Sequence, residues 1–269
     1  SGAAAAVAAS VLGLAVIFVV RESVPAFRSL GVATWATSGS WTPSAGEYNL
    51  LPMVAGTLLS SAGALLLAAP VALGCAVFAE LPGPRWPRVL VRRLVEVLAG
   101  VPSVVYGLWG LVSIVPLIAR WEPPGASLLA GALVLALMIL PTLALLFGNA
   151  LDQVPEGYRR GAAALGLGRW STLWGVCLPA AWGGLLAAVV LAAARALGET
   201  MAVLMVCGNV VAVPTSVFDP VRTLTANIAL EMAYAMELHR SALFVSGTVL
   251  LVVVAGLAAA ATRWGGPRG

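Results

Sequence analysis

Lysine is absent, and all fifteen basic side chains are arginines, a bias that reads as genomic rather than functional. Histidine occurs once, at His239, so no cluster of imidazoles is available for a metal. Cys75, Cys177 and Cys207 stand in separate apolar segments without paired spacing. They read as small buried hydrophobes, not as a disulfide or a thiolate site. Charge itself is scarce: 10% of residues are Asp, Glu, Lys or Arg, against about 25% in soluble domains. With 61% apolar residues and a mean hydropathy of +0.99, the chain is read as a polytopic membrane protein. A net charge of +4 in such a chain speaks to the orientation of its loops and not to nucleic acid. An intramembrane hydrolase would need a nucleophile with a base, or His and carboxylates at metal spacing, and neither is present. No internal repeat is visible, which counts against a proton-coupled secondary transporter using Glu199.

What the chain does have is long apolar runs, each of a length that can span a bilayer. Six are expected, at about 3–20, 52–79, 94–119, 127–150, 179–207 and 241–262, forming one all-α transmembrane domain over residues 1–269. The first run lacks a basic start and a small-residue cleavage pattern, so it does not read as a removable signal peptide. The opening Ser-Gly, without Met, leads to the expectation of a trimmed N-terminus. Residues 21–51 are polar and carry Trp35, Trp41 and Tyr48, aromatics suited to a membrane–water interface. Pro70 is expected to kink the second span. Gly100 and Pro102 mark a break in the third, with Ser103 and Tyr106 just beyond it, and discontinuous helices are where backbone groups meet substrates. The fourth span carries Pro141 and Thr142. In the long loop 208–240, Asp219-Pro220 reads as a helix start, and VRTLTANIALEMAYAMEL reads as an amphipathic helix.

Arginine asymmetry orients the spans. Arg85, Arg88, Arg92, Arg93, Arg159, Arg160, Arg169, Arg263 and Arg268 fall on one side. Arg21, Arg28, Arg120, Arg222 and Arg240 fall on the other, with Arg195 inside the membrane. The positive-inside rule makes the first side cytoplasmic, including both termini.

The chain is organised around residues 155–206. A polar hairpin, 151–178, is expected to fold as a short helix from Tyr158 to Leu165, a stop at Gly166, and a second helix from Arg169 to Val176. The apolar run after it contains Arg195 and Glu199, four residues apart and expected on one face of a helix as a pair. An ionised side chain in mid-membrane costs roughly 2.5–3.5 kcal/mol even on a lenient scale, so both point to a polar path or to a structural pair inside the bundle.

Gly166, nine residues, then Val176-Cys177-Leu178-Pro179 resemble the cytoplasmic loop of ABC importer permeases. That loop begins with a Glu-Ala-Ala triplet in the family; here the triplet is Arg160-Gly161-Ala162, so the glutamate is missing. VPSVVYGLWGL, MILPT, RALGETMAV, GNVVAVP, DPVRTLTANIALEMAYA and HRSALF look similar to the PstC-type permeases of the phosphate ABC importer. The similarity runs from about residue 38 to 250. It implies a type I importer permease in a prokaryotic inner membrane, working by alternating access and without catalytic residues of its own. Implied partners are membrane lipid, a second permease (PstA type), a cytoplasmic ATPase dimer (PstB type) using ATP and Mg, and an external phosphate-binding protein (PstS type). No nucleic acid is implied, and the chain itself is expected to bind no cofactor. A permease for sulfate, molybdate or phosphonate is the alternative. On this resemblance Arg195, with its planar guanidinium fork, is the expected phosphate contact. Glu199 is its expected orienting partner, and Ser103, Tyr106, Thr142 and Thr200 are expected along the path. Arg160, Gly161, Ala162, Leu165, Gly166 and Pro179 form the expected ATPase contact.

Overall fold

The computed structural model describes residues 2–80 and 85–264. Of the proline-rich stretch ELPGPRWPR, residues 80–88, expected as a turn, residues 81–84 lie outside the described residues, as does Arg268, and from Arg85 the stretch is helix. Twelve helices are described. The first, α1 (Gly2–Thr37), is followed by a two-stranded hairpin of β1 (Trp41–Thr42) and β2 (Glu47–Tyr48), with Trp41 opposite Tyr48. Then come α2 (Leu51–Glu80), α3 (Arg85–Ala99), α4 (Ser103–Trp109), α5 (Val115–Ala119) and α6 (Leu128–Asp152). The rest are α7 (Glu156–Ala164), α8 (Arg169–Thr172), α9 (Leu178–Leu197), α10 (Met201–Val206), α11 (Leu224–Glu231) and α12 (Glu237–Trp264).

Five stretches are long and apolar enough to cross a membrane: Ala4–Gly31, Leu51–Ala79, Leu128–Asp152, Arg169–Leu197 and Glu237–Ala261. A sixth crossing comes from a bent pair, Trp86–Ala99 and Ser103–Ala119, whose axes meet at 95°. The crossing part is the second piece, where α4, a π-helical turn at Gly110–Ile114 and α5 run on without interruption. Its 17 residues reach roughly 25 Å.

Several expectations are corrected here. The break expected in the third span at Gly100–Pro102 is present, where proline cannot continue the hydrogen-bond ladder, but the span starts at Ser103 and not at 94, because α3 lies across the bundle. The first helix does not stop near residue 20 but runs to Thr37, bending at Gly31, whose φ of 72° only glycine adopts without strain. Residues 38–50, expected as mixed loop, contain the β hairpin. The amphipathic helix expected from Val221 is shorter, starting at Leu224 with the Thr223 hydroxyl accepting the Ala226 N–H at 3.2 Å.

The core sits around α6, the most enclosed span, about two-thirds buried, whereas the apolar stretch of α1 has no fully buried residue. Leu135, Ile139 and Leu143, spaced by four along α6, have no exposure at all. Ser127 starts α6 as its cap, accepting the Ala130 N–H. A second cluster at the opposite end from the α7–α8 hairpin joins Trp35, Trp41 and Tyr48 to Leu224 and Leu243. The bundle thus has a hairpin end and a cap end.

Candidate functional site

Two interrupted spans lie side by side. Helix α9 ends at Leu197, and Gly198–Thr200 separates it from α10. Helix α4 begins after the break at Gly100–Pro102. A Cβ on Gly107 would come within 2.8 Å of the Ala202 Cα, and one on Gly110 within 3.1 Å of Val206 Cγ1. The two contacts advance together along α4 and α10. One turn back from Gly107 lies Ser103, and one turn back from Ala202 lies Gly198, so both breaks sit at one level.

That level is near mid-span. Helix α9 runs antiparallel to α6: a Cβ on Gly184 would lie 2.9 Å from Ala150 Cβ, while the far end of α10 is tied back by Ser127 N–H donating to Val206 O at 3.1 Å. Eleven residues beyond Gly184 is about 16 Å, which brings Arg195 alongside Ile139, close to the middle of α6.

The expected Arg195–Glu199 pair does not form. The helix that would align them stops between them, at Leu197. Glu199 Oε1 instead accepts the Ala202 N–H at 3.2 Å, satisfying a donor in the first turn of α10. Its carbonyl accepts the Thr225 hydroxyl at 2.7 Å, which fastens the break to the cap helix α11. Arg195 is exposed on the surface of the chain. Among the described residues it has no hydrogen-bonding or ion-pair partner. Its charge reaches the Tyr106 phenol, which donates to Leu98 O at 2.9 Å across the other break.

Of the six residues expected along the path, Arg195 and Tyr106 lie within electrostatic reach of each other, without a direct bond. Ser103 opens α4, and Thr200 closes the α9–α10 break with its hydroxyl 3.4 Å from Gly198 O. Thr142, on α6, is at a similar depth but bonds to none of them. Among the described residues no group of three or more His, Cys, Asp or Glu could hold a metal.

The hairpin has the expected shape with shifted bounds. Gly166 takes φ 73° beyond the end of α7, and the Leu167 N–H returns to Ala162 O at 3.0 Å. The second arm is α8 followed by a π-helical turn at Leu173–Cys177, which passes without a break into α9. Arg160 pairs with Glu156 at 2.7 Å across one exposed turn. Gly161 and Pro179 are exposed and Ala162 is buried beneath them. Leu165 is 81% exposed, with Trp170, Trp174 and Tyr158 also exposed.

One polar centre escaped the sequence reading. At the cap end, Glu231 accepts Arg222 Nη1 at 2.8 Å and Trp41 Nε1 at 2.8 Å, and His239 Nε2 lies 2.8 Å from its second oxygen. Arg222 also donates to Asn209 O and Asn227 Oδ1. Burial, with the Glu231 carboxylate nearby, pushes the Tyr48 phenol above its ordinary pKa. The only sequence signal was an acidic residue among apolar neighbours on α11.

A bundle of broken spans with a glycine-stopped hairpin at one end is the architecture of an importer's membrane subunit. Residues 70–268 match the family described as binding-protein-dependent transport system inner membrane component, and the chain belongs to that family. It is 39% identical over 245 residues to the probable ABC transporter permease protein YqgH of Bacillus subtilis, covering 88% of this chain and 79% of that one. It is 34% identical to the phosphate transport system permease protein PstC of Mesorhizobium japonicum, covering 93% and 83%. An inward-facing MetNI methionine ABC transporter structure is similar in fold, with a TM-score of 0.63 at 17% identity over 80% of this chain and 95% of that one.

Proposed function

We propose that the chain is the permease subunit of an ATP-driven importer of inorganic phosphate, working by alternating access in a prokaryotic inner membrane. The observation that carries this reading is Arg195. A guanidinium exposed on the subunit surface half-way across a span cannot be left facing hydrocarbon. It needs a wet path or a second protein, and an interface with a second permease supplies both. Phosphate is an anion at neutral pH, and the planar fork of arginine suits it bidentately. Tyr106, Ser103, Thr142 and Thr200 complete the path, and Glu199 serves it by holding the break open beside Arg195. The PstC relatives support phosphate as the cargo.

The hairpin end faces the cytoplasm, with both termini, on the arginine asymmetry. The exposed Leu165 and tryptophans then await a partner, and Arg160 through Gly166 with Pro179 form the contact to a PstB-type ATPase dimer that binds ATP and Mg. A PstA-type permease and an external PstS-type phosphate-binding protein complete the assembly. The chain contributes no catalytic group.

The test is labelled-phosphate uptake by cells whose only phosphate importer is this one, with membrane levels of each variant measured in parallel. Arg195→Gln is expected to assemble and lose about tenfold to a hundredfold in uptake, the worth of a charge-assisted hydrogen bond. Arg195→Lys should fall between. Excess sulfate should not compete. Normal uptake by a well-assembled Arg195→Gln variant would overturn the reading.

A further inference from the structure

We infer that α3 is an interfacial helix whose exposed Arg92 and Arg93 hold anionic phospholipid headgroups at the inner leaflet. The inference rests on the orientation proposed above. Helix α3 is three-sided. At 100° per residue, Val91 and Val95 form the side that meets the bundle, and both pack against its core. Leu90, Leu94, Val97 and Leu98 form a second edge and are exposed, Val97 at 68%. Arg88, Arg92 and Glu96 form the edge opposite, nearly half a turn of the wheel away.

The position of the helix fits that division. Val91, Arg92 and Val95 line a groove with Cys75, Ala79 and Asp152, residues at the hairpin end of α2 and α6. The 95° angle to the crossing segment lays α3 flat at that end. A flat helix fixed by one flank must send one edge toward hydrocarbon and the other toward water. Here the apolar edge is on one side and the arginine edge on the other, as an interfacial helix requires, with Val89 the one exposed aliphatic side chain beside the arginines. Trp86, 70% exposed, sits at the start of the helix, where its amphipathic ring suits the headgroup layer.

Charge names the occupant. Four arginines against the single Glu96 leave α3 with a net +3. Glu96 binds both Arg92 and Arg93 at 3.1 Å, yet their side chains remain 73% and 75% exposed. A protein partner covering the apolar edge would leave these charges unanswered, whereas an anionic leaflet answers both edges at once.

The assembled transporter, stripped of lipid and titrated with palmitoyl-oleoyl phosphatidylglycerol, is read by native mass spectrometry. The double variant Arg92→Gln/Arg93→Gln should bind phosphatidylglycerol roughly tenfold more weakly. Arg120→Gln, at the cap end, should bind it as the parent does, and phosphatidylcholine should discriminate none of them. Equal phosphatidylglycerol binding by the double variant and the parent would overturn the inference. So would loss of the second permease from Leu94→Asn, which would make the apolar edge a protein contact. Lipid retention is independent of cargo, so a failed uptake test on Arg195 leaves this result readable.

Discussion

Arg195 and Glu199 stand one helical turn apart in sequence and are turned to separate tasks: the carboxylate accepts the Ala202 N–H at 3.2 Å, while the guanidinium has no hydrogen-bonding or ion-pair partner among the described residues. Their roles are therefore separable by mutation. Glu199→Gln keeps an oxygen to accept that N–H and should assemble and transport near the parental level. Glu199→Leu removes it and should cost about 1 kcal/mol, as loss of a helix cap does. Thermal unfolding of the purified complex distinguishes the two. A large uptake defect in Glu199→Gln with unchanged stability would show that the charge itself is used.

Glu231 holds Arg222, Trp41 and His239 in one largely buried centre. Glu231→Gln leaves the Arg222 charge uncompensated and should destabilise the cap by about 3–5 kcal/mol. The measurement is the thermal midpoint of the assembled complex. His239→Gln, which retains a donor, should shift it far less.

Asp219 accepts from Ser216 N and Thr215 N at 2.8 and 2.7 Å, and from the Thr215 hydroxyl at 2.9 Å, which holds its carboxyl below the ordinary carboxylate value. The sign follows. A lowered pKa stabilises the loop above the unfolded value of about 3.9, and that contribution is lost as pH falls through the lower, folded value. The loop should therefore keep its turn down to about pH 4 and loosen below it. A carbon-13 titration of the Asp219 carboxyl should give a midpoint under about 3.9. A midpoint above that would refute the assignment.

Gly166 has open space around it, so a side chain there meets no clash and the entire penalty is its φ of 73°. Gly166→Val forces a β-branched residue into that region at a cost of about 1–3 kcal/mol, confined to the hairpin. Membrane insertion should be unaffected, while ATPase stimulation by the external binding protein should collapse. Full stimulation in the variant would remove the hairpin from the ATPase contact.

Apolar run length revealed α2, α6, α9 and α12 because a membrane helix must be long and greasy whatever it packs against. Gly166 was legible for a local reason: a helix ending in a left-handed residue favours glycine. The break at Gly198–Thr200 was not read, since Leu197 and Met201 on either side kept the run apolar. The turn at Gly100–Pro102 was seen as a break, but its 95° angle is set by Val91 and Val95 settling against the bundle, a long-range contact. The Arg222–Glu231–His239 centre joins residues eight and nine apart through a change of chain direction, so no periodicity announces it.

The Thr225 hydroxyl, bonded at 2.7 Å to the Glu199 carbonyl, is a strut between the cap helix α11 and the interrupted span. Because Gly107 presses directly on Ala202, α10 cannot shift without carrying α4 with it. The cap helix, the α9–α10 break and the start of α4 are therefore one unbroken line of contacts, a single mechanical piece whose middle lies beside Arg195.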